Sequence, residues 1–384
     1  MSAVPAPRVA LDPVLTGAVI SLAALGAMMV GSASISLADQ QFGDPLYYLS
    51  RHLGALAIGT AGLLTVLAVP SETWYRLNWL LLVAGIGCLV VVIVPGIGHT
   101  VNGSTRWLLL GPVTVQASEP ARLCLLLYLA SYATRRSREL AESLGGFAKP
   151  MLFVGGAAGL LLLEPDYGAA VVLIATSLAV LFVGGARLRD CLLAFVTGGA
   201  ALALLAFSAA YRVERLTIFL DPWADPFDGG FQLTQSLIAI GRGEWFGVGL
   251  GESVQKLFYL PEAHTDFVFA VLTEELGFAG ATLVVALFGL IVYRAVVLGQ
   301  QAIRSGLVFQ GLVSTGIGVM LGFEAFINIG VNSGLLPTKG LTLPLISYGR
   351  SSTIVTLVAL GFLMRIHHEL NGDQKRLLQR GYVR

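Results

Sequence analysis

Candidate membrane spans return ten times along this chain, at about 14–37, 52–70, 77–95, 119–134, 150–164, 167–185, 189–210, 265–294, 307–331 and 341–364, the fourth and fifth being short. As a helix, spanning the hydrocarbon takes roughly 20 apolar residues. Inside lipid every main-chain polar group must find its partner within the protein, which leaves helices and closed barrels as the spanning structures. These runs are continuous rather than alternating, so the chain reads as an all-α polytopic membrane protein with about ten transmembrane helices. Composition agrees: 55% of the 384 residues are hydrophobic and 12% charged, against about 25% charged in a soluble domain. The net charge of +1 gives no indication of a nucleic-acid partner. Cys88, Cys124 and Cys191 sit unpaired in apolar runs and read as small core residues.

Lysine and arginine collect on the cytoplasmic side of membrane proteins. With the N-terminus placed there, the inside segments hold Arg8, Arg76, Arg135, Arg136, Arg138, Lys149, Arg187, Arg189, Arg294, Arg304, Arg365, Lys375, Arg376, Arg380 and Arg384, a majority of the 24 basic residues. Both termini are therefore read as cytoplasmic. The expected organisation is a cytoplasmic segment 1–13, a membrane domain 14–366 and a cytoplasmic tail 367–384. The first apolar run is long enough to span and is read as the first membrane helix rather than a cleaved leader. A long loop of about 211–264, between the seventh and eighth spans, and a shorter one of about 96–118 then face outward. Loops of that length without structure are uncommon unless functional. Within the longer one, Phe231 to Ile240 is amphipathic and reads as a helix at the membrane surface.

An ionisable side chain at membrane depth costs about 2.5–3.5 kcal/mol on insertion scales, so each one near a span asks for a partner or a role. Glu119 and Arg122 in "QASEPARL" stand three residues apart on one helix face and fit an ion pair. "EPDYG" sets Glu164 and Asp166 in a short turn, where turn chemistry accounts for the aspartate and glycine but not for the glutamate. Arg51 opens the second span, as a snorkelling anchor or a ligand contact. "GVGLGE" lacks a βαβ context and reads as a tight turn, not a dinucleotide loop.

The stretch "QKLFYLPEAHTDFVFAVLTEELGF" is the most unusual. Glu262, His264 and Asp266 fall within five residues, and Glu274 and Glu275 follow inside an apolar run. Asp266, at a helix start, suits either an N-cap or a general base. Outside a cytoplasmic membrane no nucleotide is at hand, so a transferase there needs a donor activated before export, such as a lipid pyrophosphate. The leaving group then calls for cations, and a sugar hydroxyl acceptor calls for a base. No His, Asp and Glu cluster has clean metal-ligand spacing.

"KLFYLPEAHTDFVFAVLTEELGF" and "INIGVNSGLLPTKGLTLPLISYGRSS" resemble the SEDS (shape, elongation, division and sporulation) membrane proteins. "VNGSTRWLLLGPVTVQASEPARL", "LLEPDYGAAVVL" and "FQLTQSLIAIGRGEWFGVGLG" fit the same family in order, so the likeness covers roughly 15–366. The wording is closer to the cell-division branch, FtsW, than to the elongation branch, RodA. The resemblance implies ten spans and a peptidoglycan glycosyltransferase that uses lipid II as donor and acceptor in septal wall synthesis. It puts the family's catalytic aspartate on Asp266. That carboxylate would take the proton of the GlcNAc 4-hydroxyl as the oxygen attacks the MurNAc anomeric carbon, expelling undecaprenyl pyrophosphate with inversion. Lys339, Arg51, Arg242 and Lys256 are the expected pyrophosphate holders, and Glu119 with Arg122 the family's structural or regulatory bridge.

No cofactor is implied as essential, with magnesium or manganese an option at the pyrophosphate. The implied partners are lipid II, a class B penicillin-binding protein of the FtsI type that switches on the activity, other divisome proteins and membrane lipids. The implied place is the bacterial inner membrane at the division septum, with the active side outward. The sequence departs from the family pattern in "QASEPAR", where Arg122 stands for lysine, and in "SYGRSS", where Arg350 stands for glycine. Two rival readings are a lipid II flippase, using Glu274, Glu275 and Glu324 along a path, and a non-catalytic division scaffold.

Overall fold

A computed structural model describes residues 10–101, 104–111, 113–207, 217–257, 259–338 and 340–379. A helix occupies each of the ten expected segments: α1 (Pro13–Phe42), α2 (Tyr47–Ala68), α4 (Asn78–Ile93), α5 (Ser118–Arg135), α7 (Leu144–Leu163), α8 (Tyr167–Val183), α9 (Leu188–Phe207), α11 (Val268–Arg304), α12 (Val308–Asn332) and α13 (Arg350–Gln379). Short helices α3 (Ser71–Arg76), α6 (Ser137–Glu142) and α10 (Phe231–Arg242) lie between them. Six of these, α1, α2, α7, α11, α12 and the part of α13 up to Gly372, are long and apolar enough to cross a membrane, while α4 and α8 are apolar but shorter.

Local chemistry sets several boundaries. Asp12 caps α1 by accepting from the N–H groups of Val14 and Leu15, Pro13 fills the first helical position, and Gly43 ends the helix in the left-handed conformation. The tenth apolar run begins at 341, but its helix begins only at Arg350. Pro344 has no N–H to give, and Leu345 turns left-handed at φ 65°. Residues 341–347 are instead a mostly buried irregular segment, which is tolerated where protein supplies the missing partners. Asn328 donates to Leu341 O, Ser347 Oγ takes Leu343 N–H, and Tyr348 N–H reaches His264 O. At the other end α13 continues through 367, where the sequence reading placed the start of the tail.

The all-α expectation misses a small sheet. β1 (Gly98–Val101), β2 (Ser104–Leu110) and β3 (Val113–Gln116) pair antiparallel in the order β1-β2-β3 within the shorter loop. Its sequence signal is the Asn102-Gly103 pair between two runs rich in β-branched and aromatic residues. Ser351 Oγ takes Gln116 N–H and donates to Thr114 O, which seats β3 on the start of α13.

α11 is two helical pieces joined at Gly277, whose φ 68° and ψ −167° are non-helical. The main-chain groups released there bond to the loop after α10: Val248 N–H to Glu274 O, Gly249 N–H to Glu275 O, Phe278 N–H to Glu244 O and Ala279 N–H to Trp245 O. A Cβ on Gly277 would lie 2.4 Å from Gly247 N and 2.5 Å from Phe246 N. So the tight turn of "GVGLGE" is seated against the protein's own helix. α12 packs on both α11 and α8, and α13 packs along α2.

Candidate functional site

Asp266 sits in the turn just ahead of α11 and does not cap it. The N-cap is Phe267, which makes no side-chain bond, and the N–H of Ala270 goes to Asn332 Oδ1 at 3.1 Å. What holds Asp266 is its main chain: its carbonyl accepts from Asn328 Nδ2 and Asn332 Nδ2, both at 2.9 Å. The half-buried carboxyl itself takes no hydrogen bond among the described residues. A Cβ at Gly340 would come within 3.0 Å of its Oδ2, so a glycine there leaves the carboxyl its room. Burial, then the negative charges of Glu262 and Asp166, push the Asp266 carboxyl up to about 7, with the Arg106 charge opposing.

Around it stand groups from three other elements. Arg106, on β2, donates to the carbonyls of Glu164 at 2.9 Å and Pro165 at 2.6 Å, tying the sheet to the α7–α8 turn. Asp166 caps α8 through Ala169 N–H and accepts from Gln116 Nε2 at 3.2 Å. Glu164 is buried, and neither carboxyl oxygen has a hydrogen-bond partner among the described residues. Burial, then the neighbouring Asp166 charge, raises Glu164 to about 8, so its neutral form dominates at pH 7. On the other side Tyr48 packs between His264, 4.6 Å away, and Tyr348, 5.0 Å away, while burial lowers the His264 pKa. Arg51 stacks 4.2 Å over the Tyr47 ring beside this patch.

The remaining expected pyrophosphate holders fall in different settings. Lys339 lies outside the described residues, adjoining Gly340 in sequence. Arg242, on α10, pairs with Glu274 at 3.1 Å and keeps 45% of its side chain exposed. Lys256 is 9% exposed and bonds to Glu275 at 2.9 Å, Ser32 Oγ at 2.9 Å and Gly251 O at 2.7 Å. Glu274 also accepts from Ser253 Oγ and from Val254 N–H at 3.2 Å. The two carboxylates inside the apolar run thus bind the long loop to α11.

The expected Glu119–Arg122 pair is present at 2.6 Å and has a third member, Glu324 on α12, at 2.7 Å from Arg122. All three are buried, so the guanidinium sits between two carboxylates in the bundle. Arg350, in the place of the family glycine, donates to Thr114 Oγ1 on β3. Sequence reasoning missed Arg106, Gly340, Asn328 and Asn332 as site residues. Two asparagines four apart in an apolar helix were the available signal for the last pair, because polar side chains at that depth ask for partners. No group of three or more His, Cys, Asp or Glu able to hold a metal occurs among the described residues.

Fold and site together define an integral membrane protein that sets a carboxyl of raised pKa beside Arg106, with its main chain held by two asparagines. Residues 13–372 match the FtsW/RodA/SpoVE family, described as cell cycle protein, and the chain belongs to that family. It is 55% identical over 359 residues to the probable peptidoglycan glycosyltransferase FtsW of Thioalkalivibrio sulfidiphilus, covering 94% of this chain and 90% of that protein. To the protein of the same name from Hahella chejuensis it is 52% identical over 367 residues, covering 95% and 92%. A chain solved in work on structural coordination of polymerization and crosslinking by a peptidoglycan synthase complex matches with a TM-score of 0.76 at 34% identity, covering 94% of this chain and 98% of that one. The rod shape determining protein RodA of Thermus thermophilus matches with a TM-score of 0.70 at 31% identity, with the same coverage.

Proposed function

We propose that this chain is a peptidoglycan glycosyltransferase of the FtsW type, polymerising lipid II into β-1,4 glycan during septal wall synthesis. The observation that carries the reading is Asp266: a carboxyl with a pKa near 7, free of hydrogen bonds among the described residues, on a firmly held main chain. A general base works best with a pKa near the operating pH. Asp266 takes the proton of the acceptor's GlcNAc 4-hydroxyl, and the oxygen attacks the donor's MurNAc anomeric carbon. The C–O bond to undecaprenyl pyrophosphate breaks as the new one forms, with inversion. Arg51 and Lys339 hold the leaving pyrophosphate in this reading. Arg242 and Lys256, already bonded to Glu274 and Glu275, hold the loop and reach the pyrophosphate only by exchanging those partners.

The active end faces outward and both termini face the cytoplasm, in the inner membrane at the septum. A class B penicillin-binding protein is the proposed partner, in keeping with the synthase complex whose chain this one resembles. The flippase reading is less well supported, since Glu274, Glu275 and Glu324 are all engaged in ion pairs.

The test supplies labelled lipid II to the protein purified with its penicillin-binding partner, with transpeptidation blocked. Glycan formation by the parent, and loss of about a hundredfold or more in Asp266→Asn, matches a general-base role. Equal polymerisation by both would move the base elsewhere. Failure of the parent, with another polymerase succeeding in the same tube, would favour a flippase or scaffold.

A further inference from the structure

We propose that Asn328 and Asn332 are positioning residues for the reaction, a pair of neutral clamps that aim Asp266 through its main chain. The proposal rests on the reading of Asp266 as the base. Its ground is a dense set of bonds in a place where polar groups are costly. Asn328 is 1% exposed and Asn332 is fully buried. Asn328 Nδ2 donates to Asp266 O at 2.9 Å and to Leu341 O at 2.6 Å, using both of its hydrogens. Asn332 Nδ2 donates to Asp266 O at 2.9 Å and to Asn328 O at 2.9 Å, while its Oδ1 takes Ala270 N–H at 3.1 Å. Reversing either amide would set its oxygen against a carbonyl.

The bonds from Asn328 and Asn332 both hold the one carbonyl oxygen of the peptide between Asp266 and Phe267, whose N–H goes to Glu262 O. With the carboxyl unbonded among the described residues, the direction of its side chain is set by this peptide and by the walls around it. Asn328 also spans from the Asp266 carbonyl to Leu341, the residue after Gly340. One side chain therefore sets the distance between the base and the segment that adjoins its carboxyl. The choice of amides is informative. A lysine or arginine at either place would reach the same carbonyls, but its charge would favour the ionised carboxylate and weaken it as a base. A neutral donor fixes the geometry without that effect. Displacing a reacting group by about 1 Å costs on the order of a hundredfold in rate.

The experiment measures lipid II polymerisation by the full chain with its penicillin-binding partner for Asn328→Ala, Asn328→Ser and Asn332→Ser, beside the parent and Asp266→Asn. Rates are expressed per folded, partner-bound molecule, so that a loss of folded protein is not counted as a loss of turnover. The expected result is a kcat lowered about tenfold to a hundredfold with KM for lipid II within about twofold of the parent. The acidic limb of the pH–rate profile should stay at the parent's position, because no charge has been altered. Parental kcat in the folded variants would overturn the proposal, as would a rise in KM at constant kcat. If none of the three variants yields folded protein, the pair is a folding element and the proposal also falls. Full activity in Asp266→Asn, by contrast, removes the reading of the base on which the proposal rests.

Discussion

At the scale of single residues, Asp266 joins two properties that oppose each other. Burial and two neighbouring carboxylates hold its pKa at about 7, against an ordinary 3.8. In the proposed role the deprotonated form is the base, so kcat should rise about tenfold per pH unit below that value and level off above it; a pH–rate profile of lipid II polymerisation reads this directly. The same shift acts on stability with a definite sign. The folded state binds this proton more tightly than the unfolded chain, so the folded state loses ground as pH rises from about 4 to about 7. Asp266→Asn removes that loss. In detergent the variant should therefore melt higher than the parent at pH 8 and equal to it near pH 4. Equal melting at both values would contradict the raised pKa.

The residue scale is also where the sequence was most and least legible. Asp266 stood out because a carboxylate between "PEAHT" and a long apolar run needs a reason, and motif wording supplied it. Lys256 shows the limit. It looked like a free cation beside the site, yet it is bonded to Glu275 and Ser32, and no local pattern links residue 256 to residue 32. Ser32 and Lys256 meet only because the loop that carries Lys256 folds back against α1 and α11.

At the scale of elements, hydrophobic runs located the helices well but placed their ends where chemistry, not hydropathy, decides. The tenth run was apolar from 341 onward, so it read as a span from that point. Pro344 and the left-handed Leu345 make its first part irregular, and the helix waits for Arg350. Similarly, Gly277 breaks α11 in the middle of an apolar stretch, where hydropathy gives no hint. Gly277→Ala should strain a residue whose positive φ and extended ψ are open essentially only to glycine, by about 1–3 kcal/mol, and push its Cβ into the Gly247 backbone. The expected outcome is a lowered melting temperature and faster protease cleavage within 244–257. A variant that melts and resists protease as the parent does would contradict the seating of that loop in the break.

The loop has a second anchor in Glu274. Glu274→Ala would leave the N–H groups of Val254 and Gln255 and the Ser253 hydroxyl without their shared acceptor. A buried group left unsatisfied costs about 1–3 kcal/mol. Cleavage of the same segment should increase here too, whereas Glu274→Gln, which keeps an acceptor oxygen, should lose less.

At the scale of the whole molecule, the overall architecture was legible because lipid permits so few solutions, and the small sheet was not, because short strands leave only a weak signal beside long apolar helices. The buried Arg122 triad depends on two distant helices, so the sequence revealed only its local half, Glu119 with Arg122. Removing the guanidinium would strand two carboxylates inside the bundle. Arg122→Ala is expected to lose about 3–5 kcal/mol, read as a large drop in melting temperature, with Arg122→Lys recovering part of it. A near-parental melt for Arg122→Ala would mean that the triad holds little.

Glu324, Asn328 and Asn332 succeed one another every four residues along α12, so they share one face of a stiff rod about 12 Å long. Its lower grip is the arginine of α5, and its upper grip is the carbonyl of Asp266. Whatever slides or turns that rod by a fraction of a helical turn shifts both grips together, so a pull on a charge inside the bundle arrives as a change of aim at the Asp266 carboxyl.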